Sequence, residues 1–258
     1  MEIKTFGVVG AGQMGSGIAQ VAAQSGLKVI LNDIKAEFVE RGLAGISAFL
    51  TRSVEKGRLQ AEDKKALLAN IVPSTDIKDM TGADFVVEAA IENEDLKFEI
   101  FRNLDQACGE GVILATNTSS IPIGRIAAQT GRPDRVIGMH FMNPVPLMKL
   151  VEVIRGIATS QETFQTTWDL CGRFGKTPDE ANDFPCFIAN RILMQMINDA
   201  VFCLYQGIGR REDIDTAMKL GMNHPMGPLA LADLIGLDTC LAIMQTLYDG
   251  FSDPKYRP

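Results

Sequence analysis

The segment Phe6-Gly-Val-Val-Gly10-Ala-Gly12-Gln-Met-Gly15-Ser-Gly-Ile-Ala19 decides the fold. It sets Gly-x-Gly-x-x-Gly directly after an apolar, β-branched run and at the head of a helical pattern, the arrangement that opens a dinucleotide-binding βαβ unit. Gly10 permits the tight turn, Gly12 lets the backbone approach a pyrophosphate, and Gly15 allows helix to pack closely on strand, while the helix N-terminus contributes its positive dipole end. Alone, the motif is weak. The next apolar run, Lys28-Val-Ile-Leu-Asn-Asp33, ends in a carboxylate about 20 residues on, where an acidic side chain binds the adenosine ribose hydroxyls. A carboxylate at that point repels a 2′-phosphate, so the pattern favours NAD over NADP. A plain βα turn and a helix N-cap at Asp33 explain the parts singly but not their joint spacing.

Outward from this unit, short apolar runs alternate with amphipathic stretches, the pattern of strand, crossover helix and parallel strand. Strands are expected at 5–9, 28–32, 85–89, 112–116, 136–140 and 150–154. Phe38, Val39, Leu43, Ile46, Phe49, Leu50 and Val54 recur at helical spacing and predict a long helix ending near Gly57. A second helix, 63–69, precedes Pro73. Beyond Asn182 the strand-like runs stop, and helical patterns follow at 187–205, 211–219, 229–235 and 239–248. The expectation is an α/β fold: a Rossmann-like NAD-binding domain over residues 1–182, then a smaller all-helical domain over 183–258. Glu180-Ala-Asn-Asp-Phe-Pro185 forms the boundary, because periodicity changes across it and Pro185 disfavours helix at the residue before it. The apolar stretch Leu229-Ala-Leu-Ala-Asp-Leu-Ile-Gly-Leu237 fits a subunit interface and a face packed on the first domain equally well.

Composition narrows the function. The 258 residues are 46% hydrophobic and 22% charged, enough to bury a sizeable core and too regular for disorder or a collagen-like chain. A net charge of −7, from 25 Lys+Arg against 32 Asp+Glu, argues against diffuse binding to nucleic acid or to an anionic membrane. A local basic pocket for one anionic ligand is compatible with it. Five scattered cysteines, Cys108, Cys171, Cys186, Cys203 and Cys240, never form Cys-x-x-Cys, so neither a disulfide framework nor a metal site is indicated. No apolar run reaches the roughly 18 to 20 residues of a membrane span, and the first residues lack a signal-peptide core. The expectation is an unprocessed, cytoplasmic protein.

Only two histidines are present, His140 and His224. His140 closes one apolar run, two prolines follow at 144 and 146, and Glu152 lies inside the next run, Leu150-Val-Glu-Val-Ile154. On a strand, Glu152 shares a face with Leu150 and Ile154, so its carboxylate needs either solvent or a partner. A Glu–His pair suits alcohol dehydrogenation: the carboxylate fixes the imidazole tautomer and steadies the imidazolium, while the imidazole takes the hydroxyl proton. A satisfied core histidine with an edge-exposed glutamate explains these residue types equally well. His224, in Met222-Asn-His-Pro225, has no carboxylate in register and is assigned no role.

At this point the chain resembles the L-3-hydroxyacyl-CoA dehydrogenases, in particular the short bacterial 3-hydroxybutyryl-CoA type. The resemblance runs nearly end to end through Gly10-Ala-Gly-Gln-Met-Gly15, Val86-Val-Glu-Ala-Ala-Ile-Glu92, Thr116-Asn-Thr-Ser-Ser120, His140-Phe-Met-Asn-Pro-Val-Pro146, Phe187-Ile-Ala-Asn190-Arg, Pro225-Met-Gly-Pro228 and Gly236-Leu-Asp-Thr239. It implies an NAD-dependent oxidoreductase acting on an acyl-CoA thioester, with a helical domain that forms a homodimer. It also implies residue roles: His140 as general base with Glu152 as partner, and Ser119 and Asn190 positioning the substrate. Asn143, Glu92, Lys97, Gln13, Met14 and Asn117 are placed by it around the cofactor held by Gly10, Gly12, Gly15 and Asp33. Lys56 is carried over as a coenzyme A contact, within the cluster Arg52, Lys56 and Arg58. Simpler readings stand beside these: a turn residue and a helix cap for Ser119 and Asn190, an exposed helix-start pair for Glu92 and Lys97, and a solvated helix face for the basic cluster.

Two departures from the family pattern stand out. Phe184-Pro-Cys186-Phe replaces the usual Pro-Gly-Phe, so a position suited to glycine carries a thiol. Family members also usually continue past Lys255-Tyr-Arg-Pro258 with a short Lys- and Gly-rich tail that reaches back towards the cofactor. Two other functions compete with the acyl-CoA reading: a dehydrogenase of a free 3-hydroxy acid, which typically relies on a lysine base, and a dinucleotide-binding protein without catalysis.

Overall fold

The computed structural model describes residues 2–258. Its order is β1 (Thr5–Val9), α1 (Gln13–Gln24), β2 (Lys28–Asn32), α2 (Ala36–Glu55), α3 (Ala61–Ala69), β3 (Ile71–Ser74), β4 (Phe85–Glu88), α4 (Glu94–Ala107), β5 (Ile113–Thr116), α5 (Ile123–Ala127), β6 (Val136–Phe141), β7 (Leu150–Arg155), α6 (Gln161–Arg173) and β8 (Thr177–Asn182). The eight strands form one sheet in the order β3-β2-β1-β4-β5-β6-β7-β8. Strands β1 to β6 pair in parallel. Helices cover both faces of such a sheet, which is why β4, β5 and β6 are buried at every position and read as unbroken apolar runs. Phe6, Phe85, Leu27 and Leu31 are fully buried beneath the glycine turn, each contributing ~1.5–3 kcal/mol of apolar burial.

Strand β7 breaks the parallel pattern and runs antiparallel to β6. Residues 142–149 between them hold Pro144 and Pro146 and no helix, and a connection that short returns the chain only antiparallel. Two strands lie outside the sequence expectation, β3 and β8, and they are the two edges of the sheet. β3 contains Pro73, and β8 reads Thr-Pro-Asp-Glu-Ala-Asn. Edge strands tolerate proline and polar residues, so their pattern does not announce them.

The chain divides into two compact units, residues 1–183 and 184–258. The second unit holds α7 (Ala189–Tyr205), α8 (Arg211–Thr216), α9 (Pro228–Ile235) and α10 (Leu237–Phe251). The helix expected at 211–219 ends early and gives way to a wide turn, Ala217–Gly221. Cys186, Met194, Ile197, Ala232, Cys240, Met244, Leu247 and Tyr256 form this unit's core. Within the stretch Leu229 to Leu237, Leu229 and Ala232 are buried while Leu234 and Leu237 are exposed. Among the described residues no single helix is long and apolar enough to cross a membrane.

Candidate active site

The glycine turn joins β1 to α1 at the carboxyl ends of the strands, where open α/β sheets take their ligands. Gly10 has φ +103°, and a Cβ there would lie 2.6 Å from the Ala89 carbonyl oxygen. A Cβ on Gly15 would lie closer still to the Gly10 carbonyl. A Cβ on Gly12 would meet nothing within 4 Å, so at this glycine the turn faces open space rather than protein. The first turn of α1 has no side-chain cap and no acidic residue, which leaves its leading N–H groups for an anion. Asp33 accepts the Ala11 N–H at 2.7 Å and the Ile34 N–H at 2.8 Å. Its carboxylate is thereby fixed at the rim of the same turn. A cradle without side chains, a helix N-terminus and a fixed carboxylate fit a dinucleotide.

Side chains from three later segments converge on this end of the sheet. Gln13 donates through Nε2 to Asn143 Oδ1 at 3.0 Å, tying the glycine turn to the loop after β6. Asn117 accepts the Phe141 N–H at 2.8 Å, so the loop after β5 is fastened beside His140. Glu92 accepts the Ser119 and Ser120 N–H groups at 3.0 and 3.1 Å and the hydroxyls of Ser120 and Thr118. Burial alone would raise the Glu92 carboxyl, but the Lys97 ammonium and these donors together outweigh it and hold it below its ordinary value.

Lys97 is not the exposed helix-start residue of the simpler sequence reading. Its side chain is 1% exposed, and its Nζ lies 2.6 Å from Glu88 Oε1, with Glu92 Oε2 at 3.6 Å. Glu88 is itself fully buried and takes the Ala90 N–H at 2.6 Å and the Thr116 hydroxyl at 2.7 Å. Sequence reasoning assigned Glu88 and Thr116 no role. The available signal was a glutamate closing the apolar run Phe85-Val-Val-Glu88, a position where an unpaired charge is not sustained.

His140 and Glu152 sit directly opposite each other in the β6–β7 register. Their separation is 2.7 Å from Nδ1 to Oε2, with Glu152 fully buried and His140 nearly so. The need for a partner at Glu152 is met by the one histidine of this unit. Ser119 is half-buried in the loop after β5. Asn190 belongs to the second unit, in the first turn of α7, just after Cys186 and Phe187 at φ +61° and +53°. Met14 is partly buried against the first unit's core. Lys56, with Arg52 and Arg58, is exposed at the end of α2.

Two family models cover the chain. Residues 5–184 match the 3-hydroxyacyl-CoA dehydrogenase NAD-binding domain, and residues 187–258 match the 3-hydroxyacyl-CoA dehydrogenase C-terminal domain. The chain belongs to the 3-hydroxyacyl-CoA dehydrogenase family. The dehydrogenase is 55% identical to a probable 3-hydroxybutyryl-CoA dehydrogenase of Bacillus subtilis over 258 residues, covering 100% of this chain and 90% of the relative. It is 52% identical to the 3-hydroxybutyryl-CoA dehydrogenase of Bradyrhizobium diazoefficiens, over 99% of this chain and 87% of the relative. The crystal structure of (S)-3-hydroxybutyryl-CoA dehydrogenase from Ralstonia eutropha superposes with a TM-score of 0.98 at 51% identity, covering 100% of this chain and 91% of that one. The dehydrogenase is thus an NAD-dependent oxidoreductase of 3-hydroxyacyl-CoA thioesters, with the Rossmann-like and helical parts that the glycine motif and the helical periodicity led one to expect.

Proposed function

We propose that the enzyme oxidises short L-3-hydroxyacyl-CoA thioesters, 3-hydroxybutyryl-CoA foremost, to the 3-ketoacyl-CoA, with His140 as general base and Glu152 as its partner. The 2.7 Å contact between His140 Nδ1 and Glu152 Oε2 carries this reading. A carboxylate only accepts hydrogen bonds, so Nδ1 bears the proton and Nε2 presents the lone pair that takes the substrate hydroxyl proton. The imidazolium then formed is steadied by Glu152, whose burial keeps water from screening it. NAD, when bound, supplies the acceptor for the hydride leaving C3. Gly10, Gly12, Gly15 and Asp33 hold it, Asn143 lies by its nicotinamide, and Gln13, Met14, Asn117, Glu92 and Lys97 complete the cofactor site. For Lys97 the link to the cofactor runs through Glu92. Ser119 and Asn190 position the 3-hydroxyl and thioester end of the substrate, and Lys56 contributes a coenzyme A contact.

We place the functional division at residues 1–182 and 183–258 and assign homodimer formation to the second part. The exposed Leu234, Leu237 and Leu241 on α9 and α10 support that assignment. Five free thiols support a cytoplasmic setting. The chain length of the acyl group is taken from the relatives named as 3-hydroxybutyryl-CoA dehydrogenases.

The test is NADH oxidation with acetoacetyl-CoA, with free acetoacetate and longer 3-ketoacyl-CoA thioesters as alternatives. His140→Gln is expected to lose about 10²–10⁴-fold in turnover while NADH binding persists. Turnover near the parental rate in His140→Gln sinks the base assignment, and turnover of free acetoacetate at the thioester rate sinks the substrate assignment. Glu152→Gln, which withdraws the anion behind the imidazolium, is expected to be severe as well.

A further inference from the structure

The registers of β6, β7 and β8 set three titratable side chains in one row across the sheet: His140 opposite Glu152, and Glu152 beside Asp179. Residues paired in register project to the same face, on strands roughly 4.8 Å apart. Asp179 is half-buried, and its Oδ1 is shut off from solvent with no hydrogen-bond partner. An oxygen in that position is poorly solvated, and more so when charged. Burial first, and the charge of Glu152 second, hold the Asp179 carboxyl above its ordinary value, with its own backbone and His140 pulling the other way.

Asp183, just past β8, spends its carboxylate on the Ile123 and Gly124 N–H groups at the start of α5. Glu180 and Arg155 point to the opposite face, 3.4 Å from each other. Helix α6 packs on that opposite face too, and its Phe164 and Leu170 belong to the same core cluster as Val151 and Val153. Arg125 of α5 turns to Glu94 at 2.9 Å. Lys176, just ahead of β8, gives its ammonium to the carbonyls of Val145 and Met148. Asp179 therefore answers to Glu152 first and to His140 as well.

We propose that Asp179 is a positioning residue for the His140–Glu152 pair, a third acidic member of the row that sets the pH below which the base is lost. The proposal rests on the reading of His140 as base. When ionised, Asp179 adds a second negative charge behind Glu152 and favours the imidazolium; a neutral residue at 179 withdraws that support. Asp179 exchanges nothing with the substrate.

The experiment is the pH profile of kcat/KM for 3-hydroxybutyryl-CoA at saturating NAD, measured on the parent, Asp179→Asn and Asp179→Val. Oxidation needs neutral imidazole, so activity rises with pH to a plateau. In both variants the acid limb is expected about 0.5–1 pH unit below that of the parent, with the plateau changed by less than about threefold. A limb at the parental position, or one displaced to higher pH, overturns the proposal. So does a lowered plateau with an unmoved limb, the signature of a structural role. Thermal melting checks that each variant is folded, and either folded variant suffices. His140→Gln, run alongside, separates the two readings. Parental turnover there removes the base assignment itself, whereas a collapse there with an unmoved Asp179 limb removes the role of Asp179 alone.

Discussion

Replacing Lys97 with Met strands a charge inside the first unit. Lys97 is 1% exposed and Glu88 is 0% exposed, and their 2.6 Å contact is the only ion pair of Glu88 among the described residues. Removing one partner of a buried pair costs ~3–5 kcal/mol, because the other is left uncompensated. Glu88 keeps two donors, the Ala90 N–H and the Thr116 hydroxyl, which places the expected cost at the lower end, ~3 kcal/mol. Methionine fills most of the lysine stem, so little cavity term is added. For a protein of this size each kcal/mol moves Tm by about 2–4 °C, giving a fall of about 6–12 °C. Trp168 is the sole tryptophan and packs partly buried against the core of the first unit. Its fluorescence during urea unfolding therefore reports on the unit that contains the pair. A double variant, Glu88→Gln with Lys97→Met, removes both charges and is expected to recover more than half of the loss. A cost below about 1 kcal/mol for Lys97→Met, or a double variant no more stable than the single one, refutes the reasoning.

Four further outcomes are expected. Gly12→Ala, whose new Cβ enters open space, leaves unfolding within about 0.5 kcal/mol of the parent yet weakens NAD binding by about tenfold or more in a titration. Gly15→Ala, which drives a Cβ into the Gly10 carbonyl, lowers stability and binding together. At Cys186, with φ +61°, any Cβ carries a left-handed backbone strain of ~1 kcal/mol; the ordinary order thus inverts, and Cys186→Gly melts no lower than Cys186→Ala. The depressed carboxyl of Glu92 gives stability that is present above its unfolded value of 4.5 and is lost as the pH falls through the lower folded value. Glu92→Gln is accordingly expected to flatten the loss of stability below about pH 4.5, seen in melts from pH 3 to 6.

The strands that the sequence disclosed are those buried in the sheet. Phe6-Gly-Val-Val9 and Phe85-Val-Val-Glu88 have no solvent side to alternate against, so burial writes itself into them as apolar runs. The two edge strands escaped for the converse reason, and with β8 went Asp179, whose neighbours cannot be named until the strand is known. His140 and Glu152 were legible from accounting for a buried carboxylate, since only one histidine was at hand. The Glu88–Lys97 pair was hidden because its partners lie on a strand and the following helix, nine residues apart, and nothing in their spacing separates a buried ion pair from a solvated one. Cys186 was legible as a position suited to glycine, but only the backbone gives the reason, a left-handed φ.

The antiparallel turn from β6 into β7 gives the proposed base and its partner a parity. They are twelve residues apart along the chain, so the stretch that closes between them has little entropy to lose and needs no distant segment to bring them together. Side chains alternate across a strand, so a slip of one residue in this pairing would turn Glu152 to the far face and present Val151 or Val153 to the imidazole. A loop that forced such a one-residue slip would thus be equivalent to losing the carboxylate altogether. The length of that loop is as much a part of the proposed catalytic apparatus as the histidine that precedes it.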